Sequence, residues 1–209
     1  MQLISNNPYY IILKTSAVLL SFVFLLFSCN SNSSGAADSL FEAGRYKEAI
    51  EAYTKMIESE PSNSSILYNR GRSYEEIGEI DLATSDFEAV LKLDPKNVKA
   101  YLSLAKLSYK TEAFSKALVL ANKALELNEN NAEGHFFAAR ASHQLGYLDG
   151  ALESYNNAIT VDKNYGQAYL YRGAVKVGLK KMRSACEDFK LAQTLEVEGA
   201  SKAVNQYCN

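Results

Sequence analysis

Past its N-terminal segment the chain places apolar side chains with a helical period, and the pattern itself returns at a fixed interval. Alanine stands at positions 49, 83, 117, 151 and 185, a constant spacing of 34. Four residues after each come Tyr53, Phe87, Ala121, Tyr155 and Phe189, and seven after each come Met56, Val90, Ala124, Ala158 and Ala192. Positions i, i+4 and i+7 share one face of a helix, so each alanine opens an apolar stripe. Twelve residues before each alanine the chain has Ala37, Gly71, Ala105, Ala139 and Gly173. Small residues in that phase are what two antiparallel helices need at their crossing point, with one aromatic filling the adjoining gap. Each period therefore predicts two helices. Residues 46–59 and 114–127 read as second helices, and 64–77 and 98–111 as first helices.

The punctuation repeats in the same phase. Gly44, Gly78 and Gly146 sit five residues before the alanine, where the first helix ends and a left-handed residue is cheap only for glycine. Pro61 and Pro95 follow the second helices. Asn63, Asn97 and Asn131 precede first helices, where a side-chain oxygen caps free N–H groups. Glu112, Lys180, Glu129 and Lys163 replace the expected Gly or Pro and are expected to loosen those boundaries. A shorter segment, 199–207, has helical character and suits a cap on the open end of a stack.

Taken together, Tyr68-Asn69-Arg70-Gly71 with Tyr74, Gly78, Ala83, Phe87 and Pro95 resembles the tetratricopeptide repeat. The resemblance covers about residues 36–197. It implies an all-α protein, a right-handed α-solenoid of five 34-residue helix-turn-helix repeats with a C-terminal capping helix. The repeats fall at about 30–63, 64–97, 98–131, 132–165 and 166–198, within an array over 36–198 and a cap over 199–209. In that family the first helices line a concave groove that holds peptides or partner domains. Carried over by phase, Tyr68, Leu102, Phe136 and Leu170 would point into the groove, together with the cations Arg72, Lys106 and Arg140. Asn69 fits loosely the Asn used by family members that clamp a C-terminal carboxylate. A ladder of cations beside apolar contacts favours an extended, acidic or C-terminal-carboxylate-bearing protein segment. The competing reading of these charges is a solvated surface, partly balanced by Glu75 and Glu76.

The segment 1–28 differs from the rest. Lys14 is its one charge, and residues 15–27 form an apolar run broken only by small hydroxyl residues. The run is shorter than the roughly 20 residues a spanning helix needs, and it fits the core of a signal peptide. Leu26-Phe27-Ser28-Cys29, followed by an Asn- and Ser-rich stretch, resembles the lipobox of bacterial lipoproteins, with Phe27 in place of the usual small residue. The resemblance implies a signal peptide over 1–28, a diacylglycerol on Cys29 and a flexible tether over 29–35. An uncleaved anchor extended through residues 9–13, or an ordinary secretory signal, are the alternatives. No acidic run follows Cys29, which favours the periplasmic face of the outer membrane over surface export.

Charge and chemistry then narrow the function. Lys and Arg number 22 against 24 Asp and Glu, without the basic excess that drives nucleic-acid binding. His135 and His143 are the two histidines, eight residues apart on one predicted helix and pointing about 80° apart. Neither a zinc-ligand spacing, a nucleophile elbow nor a phosphate loop occurs, so no catalytic residue, metal or cofactor is expected. Cys186 follows the repeat alanine, a phase held elsewhere by Ile50, Thr84, Leu118 and Leu152, and so should face the cap that carries Cys208. Outside the cytoplasm the pair is a candidate disulfide; two packed free thiols are the alternative. The expectation is a non-enzymatic, lipid-anchored interaction scaffold that binds a protein partner. An accessory subunit of an envelope assembly or hydrolase complex, and a spacer without a ligand, are the alternatives. Partner identity and oligomeric state stay open.

Overall fold

The computed structural model describes residues 33–208. Cys29 and the signal segment lie outside the described residues. Eleven helices run through the described chain: α1 (Ser33–Glu42), α2 (Tyr46–Ser59), α3 (Ser64–Glu76), α4 (Ile80–Leu93), α5 (Val98–Lys110), α6 (Phe114–Leu127), α7 (Ala132–Gln144), α8 (Leu148–Val161), α9 (Gly166–Gly178), α10 (Met182–Thr194) and α11 (Ala200–Tyr207). Each packs on the next in sequence, giving five helix pairs and a closing helix, an α-solenoid. α1 begins inside the stretch expected to be tether. Ala37 is fully buried, and Ser39 Oγ donates to Gly35 O at 2.7 Å, so the helix extends back over residues 33–35. Among the described residues no helix is long and apolar enough to cross a membrane.

The repeat phase sets the core. All five marker alanines are fully buried, and the small residues twelve positions earlier are buried with them. Where that earlier residue is glycine, the partner is phenylalanine. A Cβ on Gly71 would lie 2.9 Å from Phe87 Cε1, and one on Gly173 would lie 2.5 Å from Phe189 Cε1. Helix α3 therefore approaches α4, and α9 approaches α10, by the width of a missing methyl group.

Turns follow the same phase even where the residue type does not. Gly44, Gly78 and Gly146 have φ of 72°, 82° and 81°, and Glu112 and Lys180 hold φ of 60° and 58° at the equivalent positions. The residue after each donates its N–H back to the first helix: Arg45 to Leu40 O, Glu79 to Tyr74 O, Ala113 to Ser108 O, Tyr147 to Ser142 O and Lys181 to Lys176 O, at 2.8–2.9 Å. These bonds satisfy carbonyls that the helix end would leave open. Glu112 and Lys180 thus do not loosen their boundaries; the packing of the pair holds them in the left-handed region. At the other end Asn63 Oδ1 accepts from Ser65 and Ile66, Asn97 Oδ1 from Ala100, and Asn131 Oδ1 from Gly134.

Charged side chains join some pairs. Arg70 donates to both oxygens of Asp86 at 2.8 and 2.7 Å and reaches back to Thr54 Oγ1 at 3.2 Å. Three repeats later Arg172 grips Asp188 at 2.9 and 2.6 Å and reaches Asn156 Oδ1 at 2.7 Å. Both carboxylates are buried. In the repeat that follows Arg70 the equivalent positions are Leu104 and Leu120, so an apolar pair fills the same space. The far end is closed by the disulfide between Cys186 and Cys208, with Cα atoms 5.4 Å apart, and by Tyr207 stacked on Phe189 at 5.8 Å.

Candidate functional site: the inner helix face

First helices of neighbouring repeats touch one another, α1 with α3, α5 with α7 and α7 with α9, more closely than second helices do. The side on which like elements converge is the inside of the curve, so α1, α3, α5, α7 and α9 form the inner face. Polar contacts across it recur at fixed offsets. Asn69 Nδ2 donates to Asp38 Oδ1 at 3.0 Å, Lys106 Nζ lies 2.7 Å from Glu75, and the Arg72 guanidinium sits 4.5 Å above the Phe41 ring. Arg140 lies 4.0 Å from the Tyr109 ring on one side and 4.6 Å from the Tyr171 ring on the other. Asn69 and Asp38 stand 31 apart in the numbering, and each of the other pairs has the same offset. That is one repeat less about a helical turn.

The expected groove residues divide. Arg72 and Lys106 are exposed, Tyr68, Asn69, Arg140 and Leu170 are half-buried, and Leu102 and Phe136 are 5% and 2% exposed. Leu102 has withdrawn into the core and offers a partner almost no surface. Phe136 is covered by the next repeat, with Tyr165 at 5.0 Å and Tyr171 at 5.8 Å, and contributes the floor of a cleft rather than an open contact. Tyr68 packs on Phe87 at 5.4 Å, and its hydroxyl lies 3.4 Å from Ser103 Oγ. The rows of apolar and cationic residues sit one helical turn apart. The short side chains end inside the contact between repeats; Arg72 and Lys106 extend past it, while Arg140 stays half-buried within it.

Two of the cavities along this face exceed 500 Å³. One of about 550 Å³ lies between α3 and α5, with Tyr68, Asn69, Arg72, Lys96 and Lys99 in its wall. The other, of about 570 Å³, lies among α5, α7 and α9, with Lys106, Tyr109, Lys110, Glu133, Phe136 and Arg140 in its wall. Burial raises the Glu133 carboxyl above its ordinary value, with Lys106 opposing and Glu75 reinforcing the shift. Burial likewise depresses the imidazole of His143, and the Arg140 cation adds to it. Among the described residues the Arg140 Nε and the Tyr155 hydroxyl are buried without a hydrogen-bond partner. Tyr109 and Tyr165, in the wall of the second cavity, and Tyr171, against Arg140, were not singled out by sequence; the recurring offset was the signal that would have found the two that flank Arg140. Among the described residues no cluster of His, Cys, Asp and Glu has the makings of a metal site.

The inner face belongs to a tetratricopeptide-repeat array. Family profiles described as TPR repeat or tetratricopeptide repeat match residues 37–78, 68–132 and 132–165, so the chain is a tetratricopeptide-repeat protein. Among curated proteins it is 35% identical over 81 residues to the tetratricopeptide repeat and J domain-containing co-chaperone DNJ1 of Cryptococcus neoformans, covering 39% of this chain and 16% of that protein. The matches span only about a seventh to a quarter of the length of the curated relatives. Among solved structures MamA superposes with a TM-score of 0.69 at 25% identity, over 77% of this chain and 94% of that one. YrrB, described as a TPR protein with an unusual peptide-binding site, superposes with a TM-score of 0.66 at 23% identity, over 81% and 88%. Such arrays generally mediate protein–protein interaction and are typically non-enzymatic scaffolds.

Proposed function

We propose that the chain is a lipid-anchored adaptor of the bacterial envelope, acylated at Cys29, that holds an extended segment of a partner protein along its inner helix face. The observation that carries the binding part is the continuity of that face. From Asn69 and Arg72 through Lys106 and Tyr109 to Arg140, polar and aromatic groups on successive first helices border two cavities that open along one side. An extended segment reads such a row with its own side chains while its backbone stays in the open groove. The envelope part rests on the apolar run and lipobox-like motif ahead of Cys29. The Cys186–Cys208 bond supports it, since disulfides persist in oxidising compartments. The periplasmic face of the outer membrane is the location we assign, from the absence of an acidic run after Cys29.

Crosslinking in native membranes, followed by affinity purification of the full chain, tests the reading. A discrete protein partner should be recovered with the unsubstituted chain and lost with the triple variant R72E/K106E/R140E. Recovery of no partner with either would replace the adaptor by a spacer. In parallel, C29S should move the chain from the membrane to the soluble fraction.

A further inference from the structure

Among the described residues the exposed large apolar side chains share no common phase, with one exception. Leu82, Val119, Tyr147, Met182 and Leu191 each stand at a different distance from their marker alanine. Leu93, Leu127 and Val161 all stand ten residues after it, and they are 45%, 40% and 40% exposed. Each is the last residue of its second helix, α4, α6 or α8. The polar residue that follows is occupied within its own turn. Asp94 Oδ1 accepts from Lys96 N at 3.1 Å, Asn128 Oδ1 from Asn130 N at 3.2 Å and Asp162 Oδ1 from Asn164 N at 2.9 Å. Three repeats running, an apolar side chain is left outermost beside a turned-in polar one. Singly scattered exposed leucines are ordinary; a row of one per repeat along a single edge is a surface.

That edge is also where α1 starts. α1 runs to the turn at Gly44 and α2 returns beside it, so Ser33 lies at the end of the pair where α2 stops at Ser59. In each later repeat the second helix stops, and the next first helix starts, on the same side. Cys29 precedes Ser33 by four positions, and four residues reach at most about 14 Å when fully extended. With acyl chains on Cys29 in the hydrocarbon, α1 starts too soon for the solenoid to stand clear of the headgroups. A first helix of 13 residues is about 20 Å long, so the opposite edge, with its turns at Gly78 and Gly146, is the far one. Charge on the near edge has both signs, Glu60, Asp94, Glu129 and Asp162 beside Lys96, Lys99 and Lys163. No field of one sign draws it to an anionic layer, which leaves apolar contact to select the surface.

We propose that this edge rests on the lipid bilayer, with Leu93, Leu127 and Val161 in its interfacial layer. The inference rests on acylation of Cys29 and extends it from an anchor to an orientation. The acyl chains hold the protein at the membrane, and the apolar row sets which way up it stands. The first helices then rise along the bilayer normal, and the groove they line opens sideways. A partner segment that crosses successive first helices runs parallel to the membrane plane.

The chain contains no tryptophan, so a single introduced indole reports its own surroundings. L93W, L127W and V161W on the row, and Y147W and M182W at the far edge, are prepared as the acylated full chain. All five positions are exposed, and urea midpoints check that each variant folds. The probe is a phosphatidylcholine vesicle, with or without bromine on the lipid acyl chains. On reconstitution the emission of the three row variants should move to the blue and be quenched by the brominated lipid. Emission of Y147W and M182W should stay where it is in water, unquenched. High salt should leave the quenching in place, since screening weakens charge contacts and not apolar ones. Unquenched row variants in a chain whose mass shows the diacylglycerol on Cys29 would overturn the orientation and leave the anchor standing. Quenching at both edges would overturn it too, and so would a blue shift on the row without quenching, which would mean that a second copy covers it. Absence of the diacylglycerol from Cys29 would overturn anchor and orientation together.

Discussion

Arg172 holds Asp188 by two hydrogen bonds, at 2.9 and 2.6 Å, and this grip repeats the one between Arg70 and Asp86 three repeats earlier. The repeat that follows Arg70 has Leu104 and Leu120 in the same places. A buried ion pair and an apolar pair are thus interchangeable solutions to one packing problem. Removing one partner leaves a buried charge uncompensated, whereas replacing both removes the desolvation cost as well. D86A should therefore lower unfolding stability by about 3 kcal/mol, while R70L/D86L should come within about 1 kcal/mol of the unsubstituted chain. Urea unfolding of both variants checks this; equal losses in the two would show that the bond, and not the stranded charge, dominates.

The disulfide closes the last repeat. Cys186 on α10 and Cys208 after α11 are 22 residues apart, and a loop of that size corresponds to about 3 kcal/mol of lost unfolded-state entropy. Reduction, or C208S, should lower the melting temperature and release α11. Hydrogen exchange should then quicken first over Ala200–Tyr207, because that helix packs chiefly on α10 at the open end of the stack.

Glycine and left-handed positions give opposite expectations. G173A adds a methyl group 2.5 Å from Phe189, and the clash should cost about 1–3 kcal/mol in spite of alanine's better helix propensity. A Cβ on the helical Gly150 would meet no side chain or other element of the described residues within 4 Å, and G150A should stabilise by up to about 1 kcal/mol. Glu112, at φ 60°, is the converse case: E112G relieves a left-handed side-chain conformation and should stabilise by about 0.5–1 kcal/mol. Denaturant midpoints of the three variants, measured together, order them.

His143 makes stability sensitive to acid. Burial, and secondarily the Arg140 cation, hold its folded-state pKa below the ordinary 6.5. The unfolded chain then takes up the proton at a higher pH than the folded one. Its contribution is present above about pH 6.5 and is lost as pH falls through the depressed folded value. Between about pH 7.5 and pH 5 the melting temperature of the unsubstituted chain should fall further than that of H143Q. Parallel falls would mean that the imidazole titrates alike in both states.

Much of the fold follows from the sequence because the packing within a repeat joins positions at a fixed separation. Ala83, Phe87 and Gly71 meet inside one helix pair, and the same meeting recurs at Ala185, Phe189 and Gly173, so the periodicity records it directly. The asparagine caps and the Cys186–Cys208 pairing follow from the same phase. The left-handed turns at Glu112 and Lys180 did not, because the backbone requirement comes from the helix pair and overrides residue preference.

What the sequence by itself determined is the number, length and inward face of the helices, since those depend on local periodicity and on the small residues that let two helices meet. Only the tertiary structure decided which charges are free. Partners across the inner face are set by how one repeat is rotated and shifted on the next, an offset that no single repeat encodes. That stacking neutralised Lys106 against Glu75, laid Arg72 on Phe41, and closed Tyr109 and Tyr171 around Arg140 without giving it a counter-ion among the described residues.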